Sequence, residues 1–180
     1  MGQNAEDIIS HNFASSEELL FDTNIWFFIY GPHKPNDKRV TAYSNALKNI
    51  LAAKSRIYIN VLILSEFINA YARLKWRLLP TSSKYKNFKQ FRASKAFRRI
   101  AQDISADVKL VLQHCTRIES GFGSLGITNL IDEYAAGKSD FNDQVLTALC
   151  KKNGLEMVTD DADFKGKDIP VLTANKRLLV

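Results

Sequence analysis

Short apolar runs alternate along this chain with stretches in which apolar residues recur every three or four positions, the period of a helix buried on one face. The run LLF at 19–21 reads as a strand that stops at Asp22. Asn36 or Asp37 then caps a helix whose Val40, Tyr43, Leu47, Ile50 and Leu51 share one face. RIYIN at 56–60 is a second strand, and helical spacing resumes from Val61 to about Leu79. Pro80, with Thr81, Ser82 and Ser83 behind it, breaks that helix ahead of another helical stretch from about Lys84 to Ile100. A further helix covers Ile104 to His114. Gly121, Gly123 and Gly126 open a loop, NLIDEYAAG makes a turn or two of helix, and Phe141 to Lys152 is helical up to Gly154. LEMV at 155–158 and IPVL at 169–172 are the remaining strands, and no segment repeats. Strands alternating with helices predict an α/β fold.

Length and composition fit that pattern without adding a second unit. A chain of 180 residues, 46% apolar and 24% charged, makes one domain with a sizeable core. The first twenty residues carry acids and no basic residue, unlike a secretory signal, and no apolar run approaches a membrane span. Cys115 and Cys150 stand outside any CxxC or Cys/His cluster, so they read as buried thiols of a cytoplasmic protein. His11, His33 and His114 have no ligand spacing and receive no chemistry.

Charge changes the picture more. Ten of the 25 Lys and Arg fall in residues 73–102, which contain no Asp or Glu; the rest of the chain carries 15 basic residues against 19 acidic, a balance of −4. Such asymmetry points to a polyanion partner. Tyr85, Phe88 and Phe91 recur at helical spacing and face a core or a partner, leaving Lys84, Lys86, Lys89, Arg92, Lys95, Arg98 and Arg99 to project outward toward an RNA backbone. An acidic protein partner and a plain solvated surface are the other readings of this block.

The acids carry the chemistry. Asp22 follows a strand, Glu66 lies early in the helix after a strand, Asp143 opens a helix, and Asp160 and Asp161 follow a strand. Open α/β sheets bind ligands outside the carboxyl ends of their strands, so these acids converge on one rim. Carboxylates gathered there require compensation, which Mg²⁺ or Mn²⁺ supplies through oxygen ligands. A metal so held activates water against a phosphodiester.

FDTN at 21–24, SEF at 65–67, DFNDQVLTAL at 140–149 and VTDDADF at 158–164 together resemble the PIN-domain ribonucleases, including the VapC-like toxins of toxin-antitoxin pairs. The resemblance implies a single domain with a central parallel sheet flanked by helices, and places metal-binding, catalytic carboxylates at Asp22, Glu66, Asp143 and Asp161, with Asn24 and Thr159 as supporting polar residues. Asp140 and Asp160 are secondary acids near the same rim, and Asp163 matches a position that is more often structural. The nuclease-like domain is expected over 18–180, with 1–17 as an N-terminal extension and the basic helical region at 73–102. The implied activity is metal-dependent endoribonuclease cleavage, and the toxin branch adds an antitoxin partner and a homodimer, though the extra helical length sets this chain apart from compact toxins. Two rivals are weighed against it. A Mg²⁺-dependent phosphoacceptor domain needs an early acid pair or a DxD, which FDTN lacks. A non-catalytic RNA-binding or interaction module would keep the acids without turnover.

Overall fold

Leu19, Leu20 and Phe21 are almost wholly removed from solvent, and a run that is apolar at every position is what a strand covered on both faces requires. In the computed structural model, which describes residues 5–33, 36–80, 85–137 and 139–180, the elements run β1 (Ala5–Asp7), β2 (Glu18–Phe21), α1 (Thr23–Tyr30), α2 (Lys38–Ala53), β3 (Arg56–Ile59), α3 (Val61–Arg77), α4 (Phe88–Arg92), α5 (Lys95–His114), β4 (Cys115–Arg117), α6 (Ile127–Ala135), α7 (Phe141–Asn153), β5 (Glu156–Val158) and β6 (Val171–Thr173). Among the described residues the strands form one six-stranded sheet in the order β1-β6-β5-β2-β3-β4, with every pair parallel. Leu20 sits opposite Tyr58 on one side and Met157 on the other, which makes β2 central.

That order positions a site. From β2 the chain proceeds outward to β3 and β4 on one side, while β5 and β6 lie on the other. Connections leaving the carboxyl ends of β2 and β5 therefore diverge and open a crevice between them.

Caps explain where the long helices begin and end. Asp37 accepts from the Arg39 N–H, Asn60 from Ile63 and Asp140 from Asn142, so α2, α3 and α7 each start with one orphan donor satisfied. Gly154 ends α7 in the left-handed region, at φ 66°. Tyr43, Leu47 and Ile50 are buried as their spacing predicts, while Leu51 at the edge of that face stays 42% exposed.

Several elements differ from the sequence reading. Helix α1 was not legible, because TNIWFFIY is apolar almost throughout and has no polar face to give a period. The helices expected at about 84–100 and 104–114 are instead a short α4 and one continuous α5 of 20 residues; Ser94 makes the division by capping α5 with its hydroxyl on the Phe97 N–H. Thr81, Ser82, Ser83 and Lys84, the expected break and the start of that stretch, lie outside the described residues. Strands β1 and β4 have three residues each, too few to show alternation. The last strand begins at Val171 rather than Ile169; Pro170 has no N–H to donate, though its carbonyl accepts from Met157.

Cys150 is buried and Cys115 half-buried, and burial pushes both thiols up to about 12, as inert interior cysteines require. Among the described residues no helix is long and apolar enough to cross a membrane.

Candidate active site

Asp22 is the residue at which β2 becomes α1. Its backbone N–H still belongs to the sheet, donating to the Val158 carbonyl of β5 at 3.0 Å, while its side chain caps α1 by accepting the Thr23 N–H at 2.6 Å. The second carboxylate oxygen accepts from Asn24 Nδ2 at 2.5 Å and from the Thr159 hydroxyl at 2.7 Å. Asn24 also donates to Thr159 Oγ1 and accepts the Asp160 N–H at 3.1 Å each, and Thr159 Oγ1 accepts the Asp161 N–H at 3.0 Å. The ends of β2 and β5 are thus stitched together by side chains beyond the last ladder bond, with Thr159 fully buried at the centre.

Three further carboxylates face the same space. Asp22, Glu66, Asp143 and Asp161 line one cavity of about 390 Å³ at the crevice between β2 and β5. Glu66 arrives from the second turn of α3 and accepts the Thr23 hydroxyl at 3.1 Å. Asp143 comes from the first turn of α7, where the helix dipole favours an acid. Asp161 accepts the Asp163 N–H at 3.0 Å, which makes Asp163 a turn residue.

Charge crowding is visible in the acids themselves. Burial lifts the Asp22 carboxyl to about 6, with the charges of Glu66 and Asp161 adding to it and the bonds from Thr159 and Thr23 opposing it. Burial, then the charges of Asp22, Asp140 and Asp161, lifts Asp143 to about 7 against the pull of Lys167. Among the described residues no group of three or more His, Cys, Asp or Glu side chains is drawn closely enough together to hold an ion by itself. The donor set nevertheless suits a hard divalent cation: it is all oxygen, Asp22 is already oriented, and like charges add to the raised values of Asp22 and Asp143, a tension that a cation relieves.

The two secondary acids stand elsewhere. Asp160 accepts the Tyr43 hydroxyl at 2.8 Å and pairs with Arg39 at 3.5 Å, and Asp140 is spent capping α7; neither lines the cavity. In the basic region Lys86, Lys89, Arg92, Lys95, Arg98 and Arg99 are all exposed, while Lys84 lies outside the described residues. Phe91 is fully buried, within 5.3–6.4 Å of the rings of Tyr85, Phe88 and Phe97, so these aromatics pack rather than present stacking faces.

Some lining residues were missed by the sequence reading. Thr23 is one of them, inside the FDTN motif beside Asp22. Ala70, Leu74 and Arg77 extend the cavity along α3, and their signal was present: they recur at helical spacing on the face that Glu66 begins. Phe27 and Phe28 form the other wall, and nothing in an unbroken apolar run indicates which side of it will face a cavity.

A sequence model of the PIN domain family matches residues 19–170. Among solved structures the chain is similar to the crystal structure of PAE2754 from Pyrobaculum aerophilum, with a TM-score of 0.51 and 16% identity over 92% of this chain and 94% of that one. At that identity the likeness concerns the fold. No curated protein matches.

Proposed function

The chain belongs to the PIN domain family, whose members are generally nucleases, and from that premise we propose that it is a divalent-metal-dependent endoribonuclease that hydrolyses RNA phosphodiester bonds. The observation that carries the reading is the fixed Asp22 carboxylate at the end of the central strand, facing Glu66, Asp143 and Asp161 across one cavity.

In this reading the four carboxylates hold the ion or orient the attacking water. Asn24 and Thr159 lock the Asp22 rotamer, and the Thr23 hydroxyl fixes Glu66, so little reorganisation is needed when substrate arrives. When bound, Mg²⁺ or Mn²⁺ neutralises the carboxylates, lowers the pKa of a water and offsets the charge that develops on the leaving oxygen. A water oxygen joins phosphorus as the bond to the leaving sugar oxygen breaks, and no covalent enzyme intermediate is required. The exposed cations of α4 and α5 add phosphate contacts, which position a strand without reading its sequence.

The test is cleavage of a mixed single-stranded and structured RNA pool by wild type, Asp22→Asn and Glu66→Gln, with EDTA, Mg²⁺ or Mn²⁺. Metal-dependent cutting that drops roughly 100-fold or more in both variants supports the reading. RNA binding without turnover in either metal moves the non-catalytic module ahead.

A further inference from the structure

The cavity does not end at its acids. It runs on along α3 over Ala70 and Leu74 to Arg77, with Phe27 and Phe28 of α1 as its other wall. At about 1.5 Å per residue, Arg77 lies ~16 Å along the helix axis from Glu66. The groove is therefore anionic at the strand ends, apolar in the middle and cationic at the far end.

Arg77 differs from the other cations nearby. Arg39 is bonded to Asp37 at 2.7 Å and reaches Asp160, Arg73 lies over the Phe88 ring at 5.0 Å, and Lys75 lies over Tyr71 at 5.6 Å. Arg77 is exposed, borders the groove, and among the described residues makes no hydrogen bond, ion pair or ring contact. Its planar set of donors is unspent, and a phosphate is the group that fork matches.

We propose that Arg77 is the far anchor of an RNA track along this groove, taking a phosphate a few nucleotides from the cleavage point while the bases between lie against the apolar middle. The proposal rests on the nuclease reading, which supplies the acids at one end. Base faces gain by burial against Phe27, Ala70 and Leu74, where a phosphate would lose its hydration. A paired duplex keeps its bases stacked inward and offers such a wall nothing, which makes it the control for contacts in the groove. Beyond Arg77 the path leads to the basic module: α4 packs beside the last turn of α3, with the Trp76 and Phe88 rings 5.6 Å apart.

Two readouts on the full chain test this. The first is fluorescence anisotropy of a short fluorescein-labelled RNA of mixed sequence, alone and annealed to its complement, across a KCl series. The second is cleavage of the same RNA with Mn²⁺. Arg77→Ala is expected to weaken single-strand binding about ten-fold and to lower the slope of log K against log salt by about 0.7, the share of one phosphate on a single strand. Arg77→Lys restores the slope and part of the affinity, which a merely structural arginine would not explain. Ala70→Trp fills the middle of the groove and is expected to weaken single-strand binding about ten-fold with duplex binding unchanged; Leu74→Glu serves if that variant melts early. Wild-type binding by Arg77→Ala and by the groove-filling variant overturns the track. If wild type cuts and these variants cut equally well, the track falls and the nuclease stands; if nothing cuts yet Arg77→Ala loses binding, the nuclease reading falls and the track stands.

Discussion

Asp22 is held by three donors and yet its carboxyl is raised to about 6, so burial and neighbouring acids outweigh its hydrogen bonds. The consequence for stability has a definite sign. Below about pH 3.8, the ordinary aspartate value, the group is protonated in folded and unfolded chains alike and costs nothing. Between there and about 6 the folded chain binds more protons than the unfolded one, so stability falls as pH rises and the full penalty stands above it. Asp143 extends that window to about 7. In EDTA, Asp22→Asn is therefore expected to be more stable than wild type at pH 8 by on the order of 1–2 kcal/mol, less at pH 5, and inactive at both. Mn²⁺ should raise the wild-type melting temperature more at pH 8 than at pH 5 and hardly move the variant; equal metal stabilisation of both proteins would remove Asp22 from the ion. Thr159→Val separates orientation from charge. It keeps the shape, deletes the hydroxyl shared by Asp22, Asn24 and the Asp161 N–H, and leaves buried partners unpaired. A stability loss of about 1–3 kcal/mol and a fall in kcat/KM of roughly 10–100-fold are expected, measured by urea titration and single-turnover cleavage.

At the scale of elements, what the sequence reveals depends on whether burial leaves a period. Helices α2, α3 and α7 were legible because each has one wet face and a capping residue, and β2, β3 and β5 because their apolar runs are bounded by polar residues. Helix α1 is covered on most sides and loses its period, while β1 is too short to have one. Strand β1 matters all the same, because its pairing with β6 brings residues from the stretch before 18 into the sheet. His11 holds that strand in place, with Nδ1 against Glu6 at 3.1 Å and Nε2 against Glu17 at 2.9 Å. Burial alone would lower its pKa, but the bonds and charges of Glu17 and Glu6 outweigh burial and raise it; nearby Glu156 is raised by its own burial and by Glu17. A raised histidine stabilises the fold fully below its unfolded value of about 6.5 and loses that contribution as pH climbs through the folded value. His11→Gln should therefore cost up to about 1 kcal/mol at pH 6 and almost nothing at pH 9 in paired thermal melts. A cost that does not change with pH would mean that the ring matters for packing and not for charge.

Across the whole molecule, charge is divided between two regions. The body outside 73–102 is net acidic and holds the carboxylate cavity, and residues 73–102 carry the basic excess on α4, on the first half of α5 and on the end of α3. Placement along the chain pointed to one rim, since Asp22, Asp160 and Asp161 follow strands, Asp143 opens a helix and Glu66 lies early in one; the choice of Asp22, Glu66, Asp143 and Asp161 among them came from the resemblance to the PIN-domain ribonucleases. The route between acids and basic block was not legible, since it depends on α1 and α3 packing side by side and on α4 folding back against the last turn of α3. The division makes separable demands on a variant. Lys89, Arg92 and Lys95 are exposed and far in sequence from every cavity acid, so replacing all three with Ala should leave the fold and the cutting step intact. If they contact phosphates, the salt slope for single-stranded RNA falls by about 2, the share of three phosphates, and affinity drops for every sequence alike. KM then rises while kcat at saturating RNA holds, because the lost contacts act equally on bound substrate and transition state. An unchanged slope and KM would detach the basic face from RNA and leave it for an acidic protein surface, which co-purification with and without that triple substitution would reveal.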